Sequence, residues 1–426
     1  MNMDFFHFLM NDILSEPAIL VGLIALLGLI LQKKPVIECI TGTIKTILGF
    51  VILGAGSGVI IHALSGFSII FQHAFGVHGV VPSNEAIVSI AQKSLGKEMA
   101  LIMFFAMIIN ILIARFTPWK FIFLTGHHTL FMSMLVAVIL SAAGINGIKL
   151  VTIGSLVVGG SMVFFPAIAH PFMKKITGSD DVALGHFSTL SYVLSGFIGS
   201  RLGNKAYSTE EMNVPKSLLF MRDTPVAISF TMAIIFIITC LFAGDDFVRQ
   251  VSGGKNSVMF AVMQSITFAA GVYIILQGVR MVIAEIVPAF KGISDKLVPN
   301  AKPALDCPVV FPYAPNAVLV GFLSSFAAGV VGMFLLYIFD QYIFNLSVII
   351  PSVVAHFFVG ATAGVFGNAT GGRRGAILGS FAQGMLITFL PAFLLPVLGD
   401  MGIANTTFSD ADYGVVGILL GMLARF

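Results

Sequence analysis

Apolar residues run through this chain in long blocks, neither at every second position nor along a single helical stripe. The blocks cover 17–32, 40–62, 99–114, 121–142, 147–172, 225–243, 257–286, 320–339, 343–366, 376–398 and 412–425, with short polar turns between them. Backbone groups in hydrocarbon must be satisfied within each segment, so the blocks read as helices, and the missing period-two alternation argues against a barrel. At about 20 residues per crossing, the pattern predicts about eleven transmembrane helices. Composition agrees: 426 residues that are 57% hydrophobic and only 10% charged, with a mean hydropathy of +1.00, are too apolar for a soluble domain with one core. The predicted fold class is an all-α polytopic membrane protein.

Charge adds an orientation. With the N-terminus outside, most basic residues, among them Lys33, Lys34, Lys174, Lys175, Lys216, Arg222, Lys302, Arg373, Arg374 and Arg425, fall on cytoplasmic turns. The outer turns then hold Asp245, Asp246, Asp340, Asp400, Asp410 and Asp412. The positive-inside bias therefore predicts an outer N-terminus and a cytoplasmic C-terminus. Cys39, Cys240 and Cys307 lack paired spacing and read as free buried thiols. No basic n-region opens the chain, which predicts that no leader is removed. Basic runs with interleaved aromatics are missing, so nucleic acid is not an expected partner.

Two stretches echo each other. Gly56 to Ala86 and Gln277 to Asp306 share a Gly-marked helix end, an Ala-Phe pair, a Gly and a Val-Pro before a polar cluster. Because the first lies toward the outside and the second toward the inside, the echo predicts inverted repeats. The expected division is 1–222 as first repeat with a cytoplasmic hairpin segment, 223–400 as second repeat, and 401–426 as a final transmembrane helix. Within the second repeat, Pro303 to Asn316, "PALDCPVVFPYAPN", suits neither a good helix nor an ordinary loop, and is expected to dip into the membrane and return. Irregular backbone at that depth is tolerated only around protein or a water-filled cavity, and it marks a transporter's binding site.

Candidate chemistry follows from that placement. Asp306 is the leading residue, as a ligand group or as a cap of the re-entrant turn. Asn84 and Glu85 occupy the corresponding stretch of the first repeat. His127 and His128 in "TGHH" and His186 in "LGHF" suit hydrogen bonding to a polyol and removal of a hydroxyl proton, or serve as core histidines. No third ligand follows at usable spacing, so no metal is expected. Ser57 in "GAGSGV" offers a hydroxyl on a helix whose glycines also suit close packing. Gln277, Arg280 and Glu285 read as interfacial or packing residues, with Arg280 also a partner for Asp306 or an anionic group.

Taken together, "GTIKTILGF", "GAGSGV", "LTGH", "QGVRM", "AEI", "LDC", "APNAV" and "GNATGGRRGA" resemble the ascorbate-specific enzyme IIC membrane component of the bacterial phosphotransferase system. The resemblance covers nearly the whole chain. It implies a homodimer in the bacterial inner (plasma) membrane, with eleven spans per subunit, inverted repeats, two hairpin elements, and a core that carries substrate past a dimeric scaffold. It also implies that L-ascorbate or a similar polyol is phosphorylated on entry by a phosphocysteine on a separate cytosolic IIB protein supplied through IIA, with no cofactor. Carried over residue by residue, the substrate site comprises Ser57, Asn84, His127, His186 and Asp306, to which the repeat argument adds Glu85. His127 and Asp306 are the candidate bases. Phe131 and Phe187 stand where the resemblance leads one to expect glutamines, so a related sugar or polyol remains the alternative substrate. A proton- or sodium-coupled secondary transporter using Asp306 and Glu85 is the alternative activity.

Overall fold

Apolar helices make up most of the protein. The structure, a computed structural model, describes residues 17–76, 79–212, 220, 223–342, 346–399 and 406–424. Lys216, Arg222, Asp400 and Arg425 lie outside them. The helices are α1 (Pro17–Leu31), α2 (Val36–Phe75), α3 (Asn84–Phe116), α4 (Gly126–Ala142), α5 (Gly147–Thr177), α6 (Thr189–Leu202), α7 (Thr224–Ala243), α8 (Asp245–Ser252), α9 (Ser257–Leu297), α10 (Pro315–Tyr342), α11 (Val353–Leu394) and α12 (Ala411–Ala424). Among the described residues, five helices are long and apolar enough to cross a bilayer, and six if the pair at Ile228–Ala243 and Asp245–Ser252, bent by 114°, is one span. Apolar α4 and α12, at 17 and 14 residues, are shorter than a full crossing. All three cysteines are free and buried.

Helix α11 contains a reversal. At Gly372 the backbone takes φ +58 and ψ −150, and the Ser380 hydroxyl donates to the Gly360 carbonyl at 3.3 Å. Those residues would be about 30 Å apart along a straight helix, so the chain folds back on itself between the apolar blocks 343–366 and 376–398. The segment after α6 clasps the tip: Asn204 N–H donates to Gly371 at 2.8 Å and Arg373 N–H donates to Tyr207 at 2.7 Å. Helix α10 meets the first arm through Gly321 and Gly364, where an added Cβ on either would strike the other helix's backbone. Small residues let helices approach this closely where lipid offers no hydrophobic drive to associate.

The helices form two neighbourhoods. In one, long α2 and α9 pack side by side with α1 and α7 along them; in the other, α6 and α10 pack on α11, α4 and α5 pack on α3, and α5 meets α6. One apolar core joins α3, α4 and α5, and another joins α2, α7 and α9 to the starts of α10 and α11.

Short parallel strands lie between these helices, where the hydrophobic blocks gave no sign of them. Strand β1 (Gly79–Val80) pairs with β5 (Val348–Ile349). Strand β4 (Lys302–Leu305) lies between β2 (Phe121–Phe123) and β3 (Ala183–Leu184). The expected helix at 121–142 thus begins as a strand, and its helical part starts at Gly126. Asn110 on α3 explains the strand: its amide donates to Phe121 O and accepts from Phe123 N–H, both at 3.0 Å, as a neighbouring strand would. The proline-rich stretch at 303–316 runs from strand β4 through a 3-10 helix at Cys307–Tyr313 into the first residues of α10. A second departure is α6, which lies within a segment read as polar and cytoplasmic. Its Ser191, Tyr192 and Ser195 are buried, and Ser195 donates to Ala363 O at 2.6 Å, so low hydropathy here reflects internal bonding.

Strand β4 is tied down where it begins. Lys302 lies 2.6 Å from Asp180, which also meets Lys174 at 2.5 Å and His170 at 2.8 Å. Hydrogen bonds from Lys174, then Lys302 and His170, hold the Asp180 carboxyl well below the usual carboxylate range. A depressed folded-state pKa adds stability above the ordinary carboxylate value of about 3.9 and loses it as pH falls below that.

Two outcomes are expected. In detergent, the thermal midpoint should fall as pH drops below about 4, and Asp180→Asn should start lower at neutral pH and decline less steeply. Gly372→Ala, placing a Cβ against the Asn204 and Tyr207 carbonyls in a backbone region worth about 1–3 kcal/mol of strain, should lower the midpoint by several degrees. Gly160→Ala, with nothing within 4 Å, should not.

Candidate functional site

A carboxylate or polar cap placed just before a helix can answer that helix's first N–H groups, and several such caps meet at one place here. Asp306 accepts from Cys307 N–H at 2.7 Å at the end of β4, with Lys302 anchoring the strand's other end. Ser83 accepts from Ala86 N–H at 3.3 Å and opens α3. Asp412 accepts from Thr189 N–H at 2.8 Å and Leu190 N–H at 2.9 Å, opening α6 from the start of α12. The Ser83 N–H donates to Thr407 O at 2.9 Å, so the segment before α12 lies beside the one that leads into α3.

These helix starts surround a cavity of about 240 Å³. Asn84, Glu85, His127, His186 and Asp306 all line it, although they lie far apart along the chain. Of the sequence-derived site, only Ser57 is not placed: it lies on α2, and its side chain is outside the described set. Asp306 faces two imidazoles, with His127 Nε2 at 3.6 Å and His186 Nε2 at 3.9 Å. Both gaps exceed a direct hydrogen bond, and a ligand hydroxyl placed between could reach both sides.

Buried tyrosines fix two of the rings. The Tyr192 hydroxyl lies 2.9 Å from His186 Nδ1, and the Tyr413 hydroxyl lies 2.6 Å from His128 Nδ1. Each bond leaves Nε2 as the free ring nitrogen. His127 Nδ1 is buried without a hydrogen-bond partner among the described residues, and its ring packs on its neighbours, including an edge contact to Phe131 at 5.8 Å.

Two carboxylates at the site escaped the sequence reading, of which Asp410 lines the cavity. Asp410 and Asp412, expected on an outer turn, are buried. Asp410 accepts from the Asn84 amide and from the Ser409 hydroxyl at 3.0 Å, while Asn84 Oδ1 accepts from Ser409 N–H at 2.9 Å. Counting charges near a span end does not separate a solvated carboxylate from a capping one. The available signal was the Ser-Asp-Ala-Asp run at 409–412, directly before an apolar block, which is an N-cap pattern. The two phenylalanines differ: Phe131 lines the cavity, whereas Phe187 stacks on Phe123 at 4.8 Å in the core.

Folding also gathers metal-ligating types that linear spacing kept apart. His127, His128 and Asp306 form one group, and His186, Asp306 and Cys307 another, each with ligand atoms within 4.8 Å. Both groups share Asp306, and the rest of the polar lining mixes the hydroxyls of Ser83, Ser352 and Ser409 and the Asn84 amide with Glu85, Asp410 and Arg280. That donor set suits a polyol better than a closed metal site.

Comparison with known proteins places the chain in a family. The chain matches the family model for a PTS system sugar-specific permease component, EIIC-GAT, over residues 12–412. It is 27% identical over 450 positions to the ascorbate-specific PTS system EIIC component of Mycoplasma pneumoniae, a match that covers 92% of this chain. The chain spans 66% of that relative's length, just under two thirds. With nearly its whole length matched, the chain belongs to the EIIC-GAT family of PTS sugar-specific permease components.

Proposed function

We propose that the protein imports L-ascorbate across the bacterial inner membrane and presents it for phosphorylation by a separate phospho-IIB, itself charged through IIA. The observation that carries this reading is the cavity at Asp306, where α3, α4, α6, α11 and α12 all begin. Helix N-termini carry partial positive charge, which favours an anionic ligand. The hydroxyl, amide and imidazole groups between them match the oxygens of a polyol. The similarity to an ascorbate-specific relative supports the same substrate.

In this mechanism Asn84, Glu85, His186 and Asp306 bind the substrate, with Ser57 contributed from α2. The substrate hydroxyl oxygen forms a new bond to phosphorus as the phosphorus–sulfur bond to the IIB cysteine breaks, leaving a thiolate. The hydroxyl proton passes to His127 or Asp306, which face each other at 3.6 Å. Arg373 and Arg374, at the α11 reversal, form the basic face on which IIB docks.

The same reading includes eleven crossings, an outer N-terminus, a cytoplasmic C-terminus and a homodimer. It divides the chain into inverted repeats at 1–222 and 223–400, with a re-entrant stretch at 303–316, followed by the final helix at 401–426. Two features support the repeats. A helix of 40 residues, a strand and the polar Asn84 in the first half correspond to a helix of 41 residues, a strand and Asp306 in the second. Each described strand of one half also pairs with a strand of the other.

One observation favours a second reading. Asp410 is buried in the cavity and bonded to an amide and a hydroxyl, a setting suited to proton coupling in a secondary transporter. Proteoliposomes separate the two. Accumulation of ascorbate phosphate only with phospho-IIB supports the permease, and uptake by this chain alone, collapsed by an uncoupler, supports the alternative.

Radiolabelled L-ascorbate should bind the purified protein saturably, and Asp306→Asn should weaken binding at least tenfold, about 1.4 kcal/mol; binding of another polyol instead would replace the substrate. His127→Ala should keep binding within a few-fold while IIB-dependent phosphorylation drops by about 10²–10⁴. Unchanged phosphorylation would remove His127 as the base.

A further inference from the structure

One lining residue comes from the opposite helix neighbourhood. Arg280 sits on α9, which packs with α2, α1 and α7. The other lining residues sit on Asp306–Pro308 or at the starts of α3, α4, α6, α11 and α12. Glu85, Asp306 and Asp410 share the cavity with Arg280, yet Arg280 has no ion pair with any described carboxylate. All three carboxylates are otherwise engaged, Glu85 by the Ser83 hydroxyl at 3.0 Å, Asp306 by Cys307 N–H and Asp410 by Asn84 and Ser409. The guanidinium keeps its charge at every accessible pH and presents a planar fork of donors.

A permanent cation without a counter-ion among the described residues, on the wall of a polar cavity, is suited to a ligand that brings its own negative charge. Its position on α9 adds a second consequence. An anion held by the helix starts of one neighbourhood and by Arg280 of the other would bridge the two. A neutral polyol would keep its contacts with the hydroxyls, amides and imidazoles and would leave Arg280 unsatisfied.

We propose that Arg280 is the specificity residue that reads the substrate's negative charge from α9, selecting an anionic polyol over a neutral one and joining the two helix neighbourhoods around it. This rests on the ascorbate reading above, and the test keeps the two apart. Binding of radiolabelled L-ascorbate to the full chain in detergent is competed with unlabelled L-ascorbate and with L-gulono-1,4-lactone, an uncharged lactone of similar skeleton. The competition is run for wild type, Arg280→Gln, Arg280→Lys and the control Arg249→Gln, whose residue pairs with Asp245. Thermal melts with and without each ligand report folding and ligand-induced stabilisation.

Wild type and Arg249→Gln should prefer ascorbate. Arg280→Gln should lose at least about tenfold on ascorbate and less than twofold on the lactone, and Arg280→Lys should retain part of the preference. The stabilisation that ascorbate gives beyond the lactone should vanish in Arg280→Gln. An unchanged preference in a folded Arg280→Gln would overturn the assignment and leave the ascorbate reading intact, as would equal losses on both ligands. A wild type that prefers the neutral lactone would overturn both. If Arg280→Gln does not fold, Arg280→Met is read in its place, and an unchanged preference for ascorbate there would overturn the assignment, as would loss of all preference in a folded Arg280→Lys, which keeps the charge.

Discussion

The first backbone N–H groups of a helix have no partner within that helix, and inside a membrane there is no water to supply one. That constraint organises the centre of this protein. Helices α3, α4, α6, α11 and α12 begin within the structure, and their starts turn toward one another and a shared polar cavity. The short strands belong to the same solution. Extended backbone leading into each start needs its own partners, and parallel pairing across the two halves supplies them. Asn110 supplies the same kind of bonding from a side chain beside β2.

The carboxylates follow from the helix starts. An ionised group is expensive at membrane depth unless hydrogen-bonded or paired. Asp412 meets that requirement through two backbone N–H groups of α6, and Asp306 through Cys307 N–H. Asp412 is fully enclosed and acts structurally. Asp306 keeps 39% of its side chain exposed, so one oxygen can cap while the other meets a ligand. The same kind of residue becomes scaffold or site according to how much of it the cavity leaves open.

How much of this was legible in the sequence depends on the length scale. The apolar blocks mark most of the helices because hydrocarbon imposes their length, and the glycine-rich stretch between 366 and 376 marks the reversal because a positive φ at Gly372 demands glycine. Asp306, Asn84 and Glu85 stood out as polar groups in stretches too irregular for helix. The strands did not, since two to four apolar residues have no period of their own. Helix α6 was hidden for the opposite reason: its buried serines and tyrosine lower hydropathy while bonding internally. Asp410 and Asp412 were misplaced because a capping carboxylate and a solvated one look alike when charges are counted along the chain.

The placement of Arg280 connects these levels. A site built wholly from helix starts of one neighbourhood could bind its ligand without any reference to the rest of the protein. Binding would then carry no information about where the other neighbourhood lies. A permanently charged side chain reaching in from α9 changes that, because the energy of an anion in the cavity depends on the distance between the two helix groups. Among the described residues no salt bridge holds Arg280 in place, so a bound anion would supply an electrostatic link between the two groups. If, on the proposed function, the helix starts move relative to α2 and α9 during import, they would have to break or re-form that link, and substrate charge would then bear on when the cavity opens as well as on what it accepts.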